Sequence, residues 1–218
     1  MKAIIFDLDD TLFDHTTSAV TGLGKWLPEL GLELSDALVA EWFAIEQVSY
    51  AAWLDGRLTH QGQRRARLQS FLPVLGKPVP TEDAELDEVF EGYLKHYRAS
   101  WSAFPDAQPA LEVAQGNGWR IGVLTNGSTL QQNRKLDAIG LAPYVEVVAT
   151  TETLGCSKPV AEAYLSTCRQ LGVEPADALM IGDNFELDVL GARAAGLSAE
   201  HLDRPAGITL AQLVKPVR

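Results

Sequence analysis

The stretch Ala3-Ile4-Ile5-Phe6-Asp7-Leu8-Asp9-Asp10-Thr11 joins a short apolar run to a group of acids. The apolar part is continuous, which is typical of a strand in a parallel sheet that is covered on both faces. Side chains alternate along an extended chain, so we expect Asp7 and Asp9 on one side and Asp10 on the other. Two carboxylates this close repel each other unless a cation or a shared proton compensates. The stretch therefore predicts a site for a hard cation, with Mg²⁺ as the natural ion, where the first strand ends.

Three later runs have the same continuous apolar character and alternate with helical patterns. They are Ile121-Gly122-Val123-Leu124, Val145-Glu146-Val147-Val148 and Ala178-Leu179-Met180-Ile181. A glycine follows the apolar face of each later helical segment, at Gly140, Gly172 and Gly196, and such a glycine is a signal for the end of a helix. Strands that alternate with helices in this way predict an α/β fold with a doubly wound parallel sheet.

Residues 15–100 interrupt this alternation. They contain no convincing strand, but apolar residues such as Trp42 and Tyr93 recur at helical spacing. We interpret them as a helical cap inserted into an α/β core that consists of residues 1–14 and 101–218. The insert also carries a basic cluster, which could contact the far end of a substrate or form a solvated helix face. Its members are Arg57, Arg64, Arg65 and Arg67.

The overall charge limits the partners that the protein can have. The 218 residues carry a formal net charge of −11, which argues against nucleic-acid polymers and anionic membranes as the main partner. A small anionic substrate remains compatible, because a metal ion and one or two lysines can reverse the potential locally. The chain has two cysteines, Cys156 and Cys168, and no signal-peptide pattern before the first strand, so we expect a cytoplasmic protein. The sequence makes no prediction of the oligomeric state.

Polar segments follow the other strands as well. Thr125-Asn126-Gly127 offers a hydroxyl, a carboxamide and a tight turn, which together favour an anion site. Lys158-Pro159 is expected to open a helix, which would place Lys158 beside the positive helix end. Asp183 follows the run at 178–181, and Asp188 comes five residues later. We therefore expect an anion site and a further carboxylate at the sheet edge that carries the first acids.

Taken in order, the motifs DLDDT, TNG, KP and GDNFELD resemble those of the haloacid dehalogenase-like hydrolases along essentially the whole chain. The resemblance implies a Rossmann-like core and a mechanism with two aspartates. Asp7 would be the nucleophile that accepts a phosphoryl group. Asp9 would be the general acid that protonates the leaving oxygen and then the base that activates water.

The same resemblance implies the binding residues. Mg²⁺ would be coordinated by Asp7, the backbone carbonyl of Asp9 and Asp183. The phosphate oxygens would be held by Thr125, the backbone of Asn126 and Lys158. Asp188 would lie behind these groups and orient Lys158 or metal-bound water.

The finer resemblance is to the helical-cap nucleotidases and phosphosugar phosphatases of the family. Its basis is Thr125-Asn126-Gly127 followed by Leu130-Gln131-Gln132, the five-residue step from Asp183 to Asp188, and Trp53-Leu54-Asp55-Gly56-Arg57-Leu58-Thr59. It implies a Mg²⁺-dependent phosphatase that hydrolyses a small phosphorylated metabolite, such as a nucleoside monophosphate or a phosphosugar, through an aspartyl phosphate. Alternatives are an L-2-haloacid dehalogenase, a catalytically silent phosphate-binding regulator, and a mutase that passes the phosphoryl group to a second hydroxyl. The dehalogenases of the family lack the second aspartate of the first motif and need no metal.

Overall fold

The structure is a computed structural model that describes residues 2–216, and the chain divides into two compact units. One unit combines the residues up to His15 with those from Trp101 onward, and the other is Thr16–Ser100. No helix within residues 2–216 has both the length and the apolar character that crossing a bilayer requires.

The strands and helices follow one another along the chain as follows. The strands are β1 Ala3–Phe6, β2 Arg120–Thr125, β3 Val147–Thr150, β4 Ala178–Gly182 and β5 Ser198–His201. The α-helices are α1 His15–Trp26, α2 Asp36–Leu54, α3 His60–Val74, α4 Asp83–Arg98, α5 Ala107–Gly116, α6 Thr129–Ala138, α7 Thr151–Leu154, α8 Ala161–Gln170, α9 Gly191–Ala194 and α10 Leu210–Leu213. A π-helix, Phe185–Leu190, precedes α9, and 3₁₀-helices span Leu27–Leu30, Ala142–Tyr144 and Pro175–Asp177.

Within residues 2–216, five parallel strands form one sheet in the order β3-β2-β1-β4-β5. β1 lies at the centre, with Phe6 opposite Val123 of β2 and Ile181 of β4. The predicted α/β class with a doubly wound parallel sheet is confirmed. β5 was not predicted, because it is a polar edge strand in which Ala199 alone of the four residues is buried.

The central strand is buried on both faces, as its continuous apolar sequence predicted. Ala3 and Ile5 pack in one cluster with Tyr164 and Cys168 of α8. Ile4 and Phe6 alternate with them, point to the other face and are also fully buried. The strand therefore lies inside the unit, and the acids that follow Phe6 are held where it ends.

The helical unit is built around an aromatic core. Trp42 of α2 is fully buried, with its ring centroid 4.9 Å from that of Phe71 and 4.6 Å from that of Tyr93. Arg67 of α3 belongs to this interior: its guanidinium lies 4.3 Å from the Trp42 ring centroid and 2.8 Å from Glu46. Arg67 is therefore a packed residue of this unit and not part of a solvated helix face.

A bidentate ion pair joins α3 to α4. Arg65 donates from Nε to Asp87 Oδ1 at 2.7 Å and from Nη2 to Asp87 Oδ2 at 2.6 Å, and Gln61 donates to the same carboxylate at 2.7 Å. These bonds to Arg65 and Gln61 lower the pKa of Asp87 to about 2. A lowered pKa in the folded state means that the charged form stabilises the fold above the ordinary pKa of about 3.9.

We expect Asp87→Asn to lower the urea midpoint of unfolding at pH 7. The difference from the wild-type protein should stay constant down to about pH 4.5 and shrink below about pH 3.9, because the carboxylate then becomes protonated in the unfolded chain. Glu88→Gln, which removes an exposed carboxylate from the same helix, is the matched control and should show no comparable loss. A difference for Asp87→Asn that is independent of pH would contradict this account.

Candidate active site

The candidate site is formed at the carboxyl ends of β2, β1 and β4, which are neighbours in the sheet. Asp7 follows β1, Thr125 is the last residue of β2, and Asp183 follows β4. The Asp7 N–H donates to the Ile181 carbonyl at 2.9 Å, so the pairing of β1 with β4 extends to the first acid. Parallel pairing therefore brings together residues that are more than a hundred positions apart, at the edge where open α/β sheets bind ligands.

Lys158 lies between two of the predicted acids. Its buried Nζ donates to Asp7 Oδ1 and to Asp188 Oδ1, each at 2.6 Å. Burial alone would lower the pKa of Lys158, but Asp188 and Asp7 outweigh it and raise that pKa above its ordinary value. An ammonium group has three hydrogens, so a third remains to bind a ligand oxygen.

The backbone of Lys158 is held by the side chain of Asn126. The Lys158 N–H donates to Asn126 Oδ1 at 2.8 Å, and Asn126 Nδ2 donates to the Lys158 carbonyl at 3.0 Å. The prediction that Lys158-Pro159 opens a helix is wrong, because α8 begins at Ala161 and the peptide before Pro159 is a cis bond in a turn. Both backbone groups of Lys158 are bound by a carboxamide, so they are not part of a helical hydrogen-bond ladder.

Three carboxylates meet beside this lysine. Oxygens of Asp7, Asp183 and Asp188 lie within 4.8 Å of one another, and such a group could hold a metal ion. Burial raises the pKa of Asp7 well above its ordinary value, Asp188 and Asp183 add to that rise, and Lys158 opposes it. Burial, Asp188 and Asp10 raise the pKa of Asp183 to about 6. Burial is the main cause of both raised pKa values, and the neighbouring carboxylates add to it.

Asp183 is oriented by two neighbouring elements. The Thr11 hydroxyl lies 3.3 Å from Asp183 Oδ1, and the Asp183 N–H donates to the Thr11 hydroxyl oxygen at 3.2 Å. The ring of His201 at the end of β5 lies 2.8 Å from the Asp183 carbonyl. The contact of His201 could not be predicted, because β5 was not recognised from the sequence.

A partly buried ion pair of an arginine holds the loop that carries the first acids. Arg204 donates to the carbonyl of Thr11 at 2.7 Å and to that of Asp10 at 3.3 Å, and it pairs with Asp106 at 3.0 Å. Asp10 has a φ of 56°, a left-handed conformation that aspartate tolerates better than most residues. Arg204 was not predicted, since a single arginine at this position carries no signal of this contact.

Asp9 has a different environment from Asp7. Its Oδ1 is ion-paired with the buried ammonium group of Lys135, and its Oδ2 accepts a hydrogen bond from Gln132 at 2.9 Å. Burial would raise the pKa of Asp9, but Lys135, His15 and Gln132 together outweigh it and hold that pKa below its ordinary value. From the sequence, Gln132 was part of the family resemblance alone, and Lys135 was not predicted as a site residue. The available signal was two polar residues three positions apart on the helix that follows the TNG motif.

The hydroxyl of Thr125 is oriented for donation. Its oxygen accepts hydrogen bonds from Gln132 at 2.7 Å and from the Gly127 N–H at 3.3 Å. Because both acceptor positions are used, the hydroxyl hydrogen is the group that can bind an anion. The structure thus brings every predicted site residue to one sheet edge, and their chemical roles stay predictions.

Asp188 reaches the site from a π-helix, whose wider turn is often found at functional positions. Its Oδ2 accepts a hydrogen bond from the Asn184 N–H at 3.0 Å, while Oδ1 faces Lys158. The carboxylate packs directly on the last residue of β4, and a Cβ added to Gly182 would overlap it. Gly182 is therefore required so that Asp188 can approach the strand end.

The comparisons with known proteins agree with this arrangement. A family model described as haloacid dehalogenase-like hydrolase matches residues 1–196, and the chain therefore belongs to that family. The predicted family is confirmed, and so is the prediction that the protein is an enzyme, since the family is one of hydrolases.

Curated relatives and solved structures match over almost the whole chain. Ribulose-1,5-bisphosphate 5-phosphatase of Halopiger xanaduensis is 29% identical over 204 residues, which cover 92% of this chain and 84% of that protein. Pyrimidine 5'-nucleotidase YjjG of Escherichia coli is 28% identical over 211 residues, which cover 94% and 89%. Among solved structures, the defluorinating L-2-haloacid dehalogenase Rha0230 superposes with a TM-score of 0.77 at 25% identity, covering 100% of this chain and 88% of that one.

We expect Gly182→Ala to lower the free energy of unfolding by about 1–3 kcal/mol, because the added methyl group displaces the Asp188 carboxylate from a packed interior. The matched control is Gly116→Ala at the end of α5, where an added Cβ meets no atom within 4 Å. That control should leave stability unchanged or raise it by up to about 1 kcal/mol. Chemical denaturation measures both variants, and equal effects would contradict the packing argument.

Proposed function

We propose that this enzyme is a Mg²⁺-dependent phosphatase that hydrolyses a small phosphorylated metabolite, a nucleoside monophosphate or a phosphosugar, through an aspartyl phosphate on Asp7. The observation that carries the proposal is the position of Lys158. Its ammonium group contacts Asp7 at the sheet edge that also presents the Thr125 hydroxyl. A nucleophilic carboxylate beside two donors for anionic oxygens is the arrangement that phosphoryl transfer requires.

The names of the relatives support the same chemistry. The protein of Halopiger xanaduensis is named for the hydrolysis of a sugar bisphosphate, and that of Escherichia coli for the hydrolysis of pyrimidine nucleotides. The structural similarity to a haloacid dehalogenase supports the aspartate nucleophile but not the same substrate. Asp9 and Asp183 favour phosphoryl transfer, since the resemblance implies that dehalogenases lack the counterpart of Asp9 and use no metal.

The acidic cluster fits a divalent cation. Mg²⁺ prefers hard oxygen ligands, and oxygens of Asp7, Asp183 and Asp188 lie within 4.8 Å of one another. Asp7, Asp183 and the backbone carbonyl of Asp9 would hold the ion, with Asp188 behind them. When bound, the ion supplies neutralisation of the phosphoryl oxygens and lowers the repulsion between the phosphate and Asp7.

The reaction carried out by the chain's own residues would have two halves. In the first, an Asp7 oxygen forms a bond to phosphorus while the bond from phosphorus to the leaving oxygen breaks, and Asp9 gives its proton to that oxygen. In the second, Asp9 takes a proton from water, the water oxygen bonds to phosphorus, and the bond to Asp7 breaks. Lys158 and Thr125 bind the non-bridging oxygens throughout, and the negative phosphate beside Asp9 favours the protonated carboxyl that the first half needs.

The helical segment, residues 15–100, is proposed to be the cap that selects the substrate within this reaction, as the family resemblance implies. Its interior arginine, Arg67, is ion-paired and stacked inside the segment, so it is a poor candidate for a substrate ligand. The substrate is expected to be a small phosphorylated molecule and not a nucleic-acid polymer, since the net charge is −11.

The decisive experiment measures phosphate release from nucleoside monophosphates, phosphosugars and phosphoglycolate, each with Mg²⁺ and with a chelator. We expect Mg²⁺-dependent release that is concentrated on one substrate class.

Asp7→Asn should lower kcat by at least about a thousandfold, because the nucleophile is lost. Asp137→Asn, at an exposed position of α6, is the matched control and should retain activity.

The alternatives predict other outcomes of the same assay. Release of halide from an L-2-haloacid without metal, and no release of phosphate, would replace the phosphatase with a dehalogenase. Transfer of the phosphoryl group to a second position of a sugar would indicate a mutase. Phosphate binding with neither reaction, in the folded protein, would indicate a silent binder.

A second experiment tests the metal site without catalysis. At pH 7.5 the ionised Asp183 costs stability, because this pH is above its raised pKa of about 6. Asp183→Asn should therefore leave the metal-free protein as stable or more stable, and its Oδ1 can still accept the hydrogen bond from Thr11. Mg²⁺ at about 100 times its Kd should stabilise the wild-type protein by roughly 2.7 kcal/mol. This stabilisation should raise the thermal midpoint of the wild-type protein, and the variant should show no such rise. The same Mg²⁺ response in both proteins would contradict the assignment.

A further inference from the structure

Both oxygens of Asp9 are held by one helix. Lys135 of α6 forms an ion pair with Oδ1, and Gln132, one turn earlier, donates to Oδ2 at 2.9 Å. The same Gln132 nitrogen lies 2.7 Å from the hydroxyl oxygen of Thr125. Because an amide nitrogen carries two hydrogens, one carboxamide can bind the carboxylate and the hydroxyl together.

The helix contributes these groups from its buried face. The side chain of Lys135 is 1% exposed, whereas that of Asp9 is 32% exposed. Lysine is rarely buried without a partner, and here its ammonium group lies 4.5 Å from the ring centroid of Phe13 and against Asp9. The pair therefore brings a buried cation to a carboxylate that solvent and ligands can reach.

The backbone at Gly127 leaves space for the side chain of Gln132. A Cβ added to this glycine would overlap the Gln132 carboxamide, and the Gly127 N–H donates to the same Thr125 hydroxyl oxygen that Gln132 contacts. The glycine of the TNG motif thus leaves the space in which the carboxamide joins Thr125 to Asp9. This observation is independent of the ion pair and points to the same tether.

We propose that Lys135 and Gln132 are positioning residues that fix the Asp9 carboxyl group relative to the Thr125 hydroxyl. The proton donor and the phosphate-binding group can then contact the same substrate molecule at the same time. The inference rests on the proposed phosphatase function and goes beyond it, because neither residue belongs to the predicted site. Neither residue touches the phosphoryl group in this scheme. Each acts through Asp9, and Gln132 also acts through Thr125.

The competing explanation is that the pair only attaches α6 to the loop after β1. A leaving-group comparison separates the two. The p-nitrophenolate anion leaves without a proton, whereas the alkoxide of a phosphosugar needs one from Asp9. A purely structural defect lowers activity toward both substrates by the same factor, because it changes the amount of competent enzyme.

The experiment measures kcat for Lys135→Met with p-nitrophenyl phosphate and with the best phosphosugar, at saturating Mg²⁺. We expect kcat to fall about 10- to 100-fold for the phosphosugar and to change by less than about threefold for p-nitrophenyl phosphate, since a misplaced proton donor affects the poor leaving group. Arg134→Met, at an exposed position of the same helix, is the matched control and should leave both values unchanged. Gln132→Met replaces Lys135→Met if that variant does not fold.

This experiment distinguishes failure of the positioning role from failure of the proposed phosphatase function. A wild-type protein that is inactive on both substrates overturns the phosphatase and this inference with it. An active wild-type protein whose Lys135→Met variant loses both activities equally, or loses neither, overturns the positioning role and leaves the phosphatase in place.

Discussion

The ammonium group of Lys158, buried between Asp7 and Asp188, is the interaction on which the site depends. A buried cation is tolerated only with anionic partners, and the three clustered carboxylates in turn need positive charge. Lys158 contacts two of these carboxylates, and burial together with the neighbouring acids still keeps the pKa of Asp7 raised. Three carboxylates that close together are the physical reason for proposing a divalent cation at this edge.

The surrounding backbone serves to hold that lysine. Asn126 binds both its N–H and its carbonyl, Gly182 leaves room for Asp188, and the π-helix directs the Asp188 carboxylate inward. The Asn126 side chain and Gly182 do not contact a ligand in the proposed reaction. Parallel sheets commonly bind ligands at the carboxyl ends of their strands. Here these residues fix the position of the Lys158 ammonium group at that edge.

The sequence predicts the sheet because the interior residues of β1, β2 and β4 are buried on both faces and form continuous apolar runs. It also predicts that Asp7, Thr125 and Asp183 share an edge, since parallel strands end on the same side. The prediction misses β5, an edge strand that needs little apolar character, and it places Lys158 in a helix because proline favours the first helical turn. Such features depend on contacts between distant segments, which local patterns do not contain.

The buried polar residues of α6 were missed for a related reason. Lys135 and Gln132 have the composition of a solvent-exposed helix face, and only the position of Asp9 makes them interior residues. Arg67 shows the same limit within the helical unit, because its partner Glu46 lies on another helix. When a charged residue forms an ion pair with a residue on another helix or strand, its sequence neighbours alone predict that it is exposed. Its partner can be identified only when the fold is known.

The two aspartates of the first motif are the same residue type two positions apart, yet their environments are opposite. Each contacts a buried lysine, but Asp7 also faces two further carboxylates, whereas Asp9 is bound by an amide donor. Burial raises the pKa of Asp7 and these carboxylates add to the rise, whereas the contacts of Asp9 outweigh burial and lower its pKa. These directions are the reverse of what a nucleophile and a general acid require. In the proposed reaction, a divalent cation favours the ionised form of Asp7, and a phosphate dianion favours the protonated form of Asp9. On this argument, bound metal and phosphorylated substrate would shift the pKa values of the two carboxyl groups in the directions that the proposed reaction needs.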